Sequence, residues 1–556
     1  MLRNGGRLLV ESLIALGATK SFGVPGESYL AVLNALHDTA GKLDYVLCRN
    51  EGGAAFMASA YGKLTGSPGI CFVTRGPGAT NASIGVHTAM QDSCPMILFV
   101  GQVGTDMKGR EAFQELDYRA VFGTLAKWAV EIDDVARLPE IVARAWSTAL
   151  AGRPGPVVVA LPEDMLTAET DAAPLSAPAT VFEPAPAGEA VAAARVMLTE
   201  AQRPLMLIGG ANWSPEGRDA LQGFAEKSDI PVIAAFRYQD QFDNHAPVFV
   251  GEAGVGMASH VKALIREADV ILAVNARFGE MTTDGYTLLS VPEPRQKLIH
   301  VHASDREIGK VYVPTLGIVA GPNAFARALT PVAGSWGDWR GKARAAYEAS
   351  FEAPVQPSPV DMVEVSAWLR RNLPDDVILT NGAGNFTVWP NKFFRFGRRA
   401  RLLAPQSGAM GYGLPAAIAA KVAFPDRTVV CFAGDGDFQM NCQELGTAMQ
   451  ASAQPIVLVL NSGVYGTIRA HQERNYPARV CGTTLGNPDF VGLARAYGFH
   501  AEHVRVTADF AAAFGRALAS PTGAVLELSI SAEALTPRQT LSQMRDAALA
   551  SQKAHA

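Results

Sequence analysis

Charge is scarce in this sequence: Asp, Glu, Lys and Arg make up 18% of it, against a usual ~25%. The deficit suits a large buried interior and a subunit interface. Neither sign dominates, with 48 basic against 53 acidic residues and a net charge of −5, so no global field recruits nucleic acid or an anionic membrane. Long apolar runs are missing too. Pro95-Met96-Ile97-Leu98-Phe99-Val100 has strand length, far short of the ~18 residues that a membrane span needs. No Cys-x-x-Cys pair occurs among Cys48, Cys71, Cys94, Cys431, Cys442 and Cys481, which predicts reduced, mostly buried thiols in a cytoplasmic protein. No strand carries a convincing G-x-G-x-x-G, which sets aside a nucleotide-binding dehydrogenase. The N-terminus does not read as a secretory leader, because Glu11 and Ser12 break the apolar stretch after Arg3 and Arg7 and no small-residue cleavage site follows. Leu9, Leu13, Ile14 and Leu16 instead predict an amphipathic first helix ended by Gly17.

What remains is globular, with 48% hydrophobic residues. At roughly 150 residues per domain, 556 residues suggest three or four domains. Two Pro-dense stretches act as linkers, one over 167–190 with Pro174, Pro178, Pro184 and Pro186, the other over 345–360 with Pro354, Pro357 and Pro359. They leave domains at 1–168, 190–335 and 360–540. Short apolar runs alternate with helical patterns in each: 69–73, 156–160, 205–208, 270–274, 428–432 and 455–460. Such runs predict parallel strands covered on both faces, and so three doubly wound α/β domains with ligands at the carboxyl ends of strands. No internal sequence repeat is evident.

Two strand ends carry chemistry. Ala433-Gly434-Asp435-Gly436-Asp437-Phe438 follows one strand, and Asn461-Ser462-Gly463-Val464-Tyr465-Gly466 follows the next. Glycines admit an anion to the backbone and helix starts offer N–H groups. A carboxylate there repels a phosphate unless a cation such as Mg²⁺ lies between them. Alone, Gly-Asp-Gly reads equally as a tight turn; the second turn beside it favours a site. In the first domain, Glu51 follows strand 45–48 and precedes a small-residue helix. It reads as a catalytic acid, or as an acid favoured by the helix dipole.

The paired turns resemble the diphosphate-binding signature of thiamine-diphosphate (ThDP) enzymes, and nearly the whole chain is similar to the acetolactate synthase large-subunit group. The resemblance implies pyrimidine-binding, central and diphosphate-binding domains, with ThDP and Mg²⁺ as cofactors. It places Mg²⁺ on Asp435, Ser462 and the Val464 carbonyl. Ser462 stands where the family has a second Asn, which leaves Asn461 or water as alternative donors, and Asp437 stands where a small Ser or Cys is common. Glu51 would sit against N1′ of the aminopyrimidine and so activate C2 of the thiazolium. Gly76, Pro77, Gly78 and Asn81 resemble the turn beside the pyrimidine, with capping by Asn81 as the plainer reading. Met410 would prop the coenzyme in its bent shape. Pro25, Gly26, Asn385, Gly434, Gly436, Asp437, Phe438, Tyr465 and Gly466 would complete the cofactor site. Glu27, Phe113 and Gln114 match segments on the substrate side, and His471 falls where acetolactate synthases carry a Trp. Gly209-Gly210 and Asn275-Ala276-Arg277 resemble contacts to the structural FAD of that group, but the Asp-Asp-Arg continuation is missing and FAD is not favoured.

The implied reaction is decarboxylation of a 2-oxo acid with transfer of the acyl-carbanion equivalent to a second carbonyl compound. A simple 2-oxo acid decarboxylase or other ThDP lyase is the alternative. A cofactor-binding regulatory paralogue without turnover is the alternative outside enzymology. Because Glu51 and Asp435 lie in different domains, the resemblance also implies a homodimer, or a dimer of dimers, with the active site between subunits.

Overall fold

The computed structural model describes residues 2–177 and 183–555; Pro178, in the first predicted linker, lies outside the described residues. Three six-stranded sheets, all parallel, form the three domains. The apolar runs become their buried strands: Gly69–Val73, Pro156–Pro162, Pro204–Ile208, Val270–Val274, Val429–Gly434 and Ile456–Asn461. The first helix is Gly5–Ala15, and the chain leaves it through Gly17 at φ 96°. Among the described residues no helix is long and apolar enough to cross a membrane. All six cysteines are free; Cys48, Cys71, Cys94 and Cys431 are buried, Cys442 is half-buried and Cys481 exposed.

The first sheet runs Asp44–Leu47, Lys20–Gly23, Gly69–Val73, Met96–Gln102, Pro156–Pro162, Trp128–Glu131. Counted within the domain, that is the order 2-1-3-4-6-5. The third sheet has the same order: Arg401–Leu403, Ile378–Asn381, Val429–Gly434, Ile456–Asn461, Ala524–Ser529, His500–Val504. So two domains share a topology that no sequence repeat announces. The middle sheet runs 3-2-1-4-5-6, from Phe249–Ala253 to Leu316–Val319, the order of dinucleotide-binding folds.

The first and third domains share one continuous core. Helix Glu51–Thr65 packs along helix Gly413–Ala423, and Phe56 meets Tyr412 edge-on at 5.4 Å. Its small residues are needed for that contact, since Gly52 through Ala60 are all buried and a helix buried all round has no polar face. A Cβ on Gly62 would stand 2.1 Å from the Pro95 carbonyl oxygen. A buried ion pair also ties the two domains. Lys63 Nζ lies 2.9 Å from Asp92 and donates to the Ala404 carbonyl, while Asp92 accepts the Gln406 N–H.

Candidate active site

Strands Val429–Gly434 and Ile456–Asn461 lie side by side, Gly434 opposite Leu460, and end at one rim. Asp435 begins the short helix Asp435–Gln439 and is buried. Its Oδ2 accepts N–H groups from Ser462 at 3.1 Å and Gly463 at 2.6 Å, and Nδ2 of Asn487 at 2.9 Å. Its Oδ1 accepts the Gly436 N–H at 2.9 Å. The Ser462 hydroxyl donates to the Val464 carbonyl at 3.4 Å. Carboxylate, hydroxyl and carbonyl here are hard oxygen donors, the set that Mg²⁺ takes. Asn461 is engaged elsewhere, donating to Glu527 at 2.8 Å and accepting from Asn487 at 2.8 Å. Helix Gly466–Asn475 starts at the same rim with no side-chain cap, so its first N–H groups are free for an anion.

The glycines bring the turns together. A Cβ on Gly436 would stand 2.3 Å from the Tyr465 ring, one on Gly466 2.3 Å from Asn385 Oδ1, and one on Gly434 2.8 Å from the Phe386 ring. Asn385 opens the turn Asn385–Thr387 and donates to the Leu535 carbonyl at 3.1 Å. Phe438 points into the core beneath, edge-on to Phe490 at 5.6 Å. Asp437 turns its carboxylate onto neighbouring backbone: Oδ1 accepts the N–H groups of Ala383 at 3.0 Å and Gly411 at 2.9 Å. That links the loop carrying Met410 to the turn before Asn385. Burial pushes Asp437 up to about 7, against the pull of those N–H groups and of the Arg237 guanidinium.

A cavity of about 1110 Å³ opens onto this rim. It is lined by Asp435, Ser462, Val464, Tyr465, Met410 and His471 among others, and reaches between the middle and third domains to Arg237 and Arg277. That volume matches or exceeds the ~300–1,000 Å³ of small-molecule and cofactor sites, so a coenzyme of ThDP size fits. The middle-domain glycines serve close packing: Gly210, at φ 71°, lies against Asn275, which donates to the Ala211 carbonyl at 2.9 Å.

Glu51 and Asn81 of the first domain are not among the residues lining this cavity. Glu51 is the first residue of its helix, behind the cap Asn50, and its Oε2 accepts from Asn81 Nδ2 at 3.0 Å. Asn81 is therefore not a cap; helix Gly76–Asp92 has Arg75 in that position, with Pro77 in its first turn. A Cβ on Gly78 would be 3.6 Å from Glu51 Oε1. Gly76 donates its N–H to the Gln114 carbonyl at 3.0 Å, and Gln114 sits at φ 65°. Gly26 lies against Thr74, whose hydroxyl bonds Ser28 at 2.9 Å; Pro25 and Glu27 are exposed. Phe113 is 71% exposed.

Sequence reading missed three residues. Arg75 is 7% exposed and gathers the substrate-side segments, donating to the Phe113 carbonyl at 3.2 Å and to Glu27 at 3.1 Å, and pairing with Glu163. Asn487 bridges Asp435 and Asn461. Arg237, buried among the three domains, donates to the Pro405 carbonyl, and its Nε has no hydrogen-bond partner among the described residues. An arginine directly before the Gly-Pro-Gly turn was a usable signal for the first; the other two are brought in by tertiary contacts alone.

Residues 3–121 match the thiamine pyrophosphate enzyme N-terminal TPP binding domain, residues 191–329 the central domain, and residues 382–528 the C-terminal TPP binding domain. The acetolactate synthase large subunit of Parasynechococcus marenigrum is 33% identical, over 95% of this chain and 87% of that one. The acetolactate synthase isozyme 2 large subunit of Escherichia coli is 32% identical, over 95% of both chains. A probable acetolactate synthase large subunit of Methanococcus aeolicus is 29% identical, over 90% of this chain and 88% of that one.

Proposed function

The chain belongs to the thiamine pyrophosphate enzymes, in the group that includes the acetolactate synthase large subunits, and from that premise we propose that it is a ThDP- and Mg²⁺-dependent carboligase. It decarboxylates a 2-oxo acid and passes the acyl-carbanion equivalent to a second carbonyl compound. The observation that carries this reading is the meeting of Asp435 with the Ser462–Val464 turn at the mouth of a cavity of about 1110 Å³. When bound, ThDP supplies the carbon nucleophile and the electron sink that lets CO₂ leave. Asp435, the Ser462 hydroxyl and the Val464 carbonyl would hold Mg²⁺ between the carboxylate and the diphosphate, and the uncapped start of helix Gly466–Asn475 adds N–H donors. Met410 supports the coenzyme from the cavity wall. Glu51 holds a proton at N1′ of the aminopyrimidine, with its carboxylate oriented by Asn81.

One chain does not bring these groups together. Glu51 and Asn81 are not among the residues lining the cavity that contains Asp435 and Ser462. The first domain of one subunit therefore closes over the rim of another, as a homodimer or a dimer of dimers. Exposed Ile84 and Phe113 beside one half, and Met440 and Ile468 beside the other, support burial of both surfaces. His471 lines the cavity where acetolactate synthases carry Trp, which favours an acceptor other than pyruvate or 2-oxobutyrate. The free thiols suit a cytoplasmic setting.

The test is a panel of 2-oxo acids supplied with ThDP and Mg²⁺, with and without aldehyde acceptors. CO₂ release with a ligated product is expected. CO₂ with the free aldehyde alone reassigns the protein to simple decarboxylation. ThDP binding without CO₂ from any acid leaves the regulatory paralogue.

A further inference from the structure

A buried carboxylate from the third domain grips the backbone just ahead of Glu51. Glu444 ends the short turn Cys442–Glu444 on the segment that follows Asp435–Gln439, and it is wholly buried. A carboxylate so placed is costly unless its oxygens are satisfied. They are: both accept the Arg49 N–H at 3.2 Å, Oε1 accepts the Asn50 N–H at 2.9 Å, and Oε2 accepts the Thr447 hydroxyl at 2.5 Å. Burial pushes the Glu444 carboxyl up, and the Thr447 hydroxyl and the two N–H groups pull it back. Arg49 does not turn its guanidinium to Glu444 but to the carbonyls of Leu47 and Gly446 and to Gln450.

An acid drawn to a helix N-terminus predicts a different pattern. An acid drawn to the helix end would take the unpaired N–H groups of its first turn. Those of Gly52 and Ala54 are already used, by Asn50 Oδ1 at 2.8 Å and the Asn50 carbonyl at 2.9 Å. Glu444 instead takes the two peptide N–H groups directly before Glu51, between strand Asp44–Leu47 and the helix. Gly53 keeps space for it, because a Cβ there would stand 2.6 Å from Glu444 Oε1. Proton sharing needs a heavy-atom separation of about 2.6–3.2 Å, and a misplacement of about 1 Å in an active site costs on the order of 10²-fold. Whatever fixes residues 49 and 50 thus fixes how well Glu51 works.

We propose that Glu444 is the positioning residue for Glu51, holding the 49–50 turn so that the Glu51 carboxylate meets the pyrimidine of a coenzyme bound by the partner subunit. This rests on the ThDP reading above. It also makes one segment serve two sites: Asp435 anchors the subunit's own coenzyme, and Glu444, just beyond it, aligns the acid used by the neighbour.

Glu444→Gln keeps the volume but removes the charge and sets an NH₂ in place of one acceptor oxygen, against the Arg49 N–H and the Thr447 hydroxyl that Oε2 now accepts, and Glu444→Asp keeps the charge on a shorter arm. Two readouts separate positioning from structural support. In the protein without coenzyme, amide hydrogen exchange over residues 47–53 should rise at least tenfold in Glu444→Gln, with strand Met96–Gln102 unchanged. With ThDP and Mg²⁺, proton exchange at the thiazolium C2 and kcat should fall about 10–100-fold. ThDP affinity and KM should stay within about threefold, because the diphosphate is held elsewhere. Glu444→Asp should recover part of the loss. The proposal is overturned by unchanged amide exchange over 47–53, or by C2 exchange that falls only in step with ThDP binding or folded fraction. Failure of the wild-type protein to bind ThDP would sink the functional reading instead, and the amide-exchange result would still decide whether Glu444 holds the turn.

Discussion

Replacing Asp437 by Asn should remove a pH-dependent load from the third domain. The folded carboxyl is raised from 3.8 to about 7, chiefly by burial. A carboxyl raised in this way contributes stability that is fully present below its unfolded value and is lost as pH climbs through its folded value. The window therefore runs from about pH 4 to about pH 7. A shift of roughly 3 units at ~1.36 kcal/mol each amounts to about 4 kcal/mol. Asn is neutral throughout and retains Oδ1, the one atom that accepts both the Ala383 and the Gly411 N–H. The stability of Asp437→Asn minus that of wild type should thus rise by about 4 kcal/mol between about pH 4 and about pH 8. At ~2–4 °C per kcal/mol for a domain of this size, the difference in melting temperature should grow by roughly 8–16 °C. Urea unfolding of the coenzyme-free proteins, followed by circular dichroism at several pH values, measures it, and the other carboxyls cancel in the difference. A flat difference, or one that falls with pH, refutes the reasoning.

Gly436→Ala places a Cβ against the half-buried Tyr465 ring at the rim; at about 1–3 kcal/mol for overpacking, ThDP affinity measured by calorimetry should weaken roughly 5–150-fold. Ser462→Asn gives the turn an amide oxygen in place of a hydroxyl and should lower the Mg²⁺ concentration needed for half-maximal ThDP binding, whereas Ser462→Ala should raise it; equal Mg²⁺ requirements in all three proteins would remove Ser462 from the metal site. Glu51→Gln should bind ThDP within a few-fold of wild type yet lose at least about 100-fold in C2 proton exchange, and unchanged exchange would contradict the role given to it.

The strands were legible because fully buried parallel strands are near-continuous apolar runs, as in Val157-Val158-Val159 or Val457-Leu458-Val459. The paired rim was legible because its glycines and acid are contiguous at two strand ends. Asp437 was harder. Its position in Gly-Asp-Gly-Asp suggests a carboxylate beside diphosphate, and only the fold shows the side chain bent back onto Ala383 and Gly411. Arg75, Asn487 and Glu444 have their partners many residues away, Glu444 and Asn50 being 394 apart. A sequence gives no local period for such pairs. The shared strand order of the first and third sheets left no repeat either, because topology depends on apolar pattern rather than on residue identity.

That shared order accounts for the divided site proposed above. In both domains the order 2-1-3-4-6-5 puts a switch point between the first and third strands, and in sheets of this kind ligands collect at such crevices. Helix Glu51–Thr65 follows the second strand of the first domain, and helix Gly413–Ala423 follows the second strand of the third, so corresponding elements pack against each other within one chain. A pairing made from like elements has approximate two-fold character, and it spends the helix faces on the shared core while both strand-end rims stay open. Glu51 remains at one rim and Asp435 at the other, with exposed Phe113 and Ile468 beside them. In the proposed dimer, a second copy placed by a true two-fold axis would bring unlike rims together twice, completing two sites with one interface. The small residues of the helix after Glu51 are what permit the first pairing, and so the helix sequence bears on the proposed dimer as directly as on the local fold.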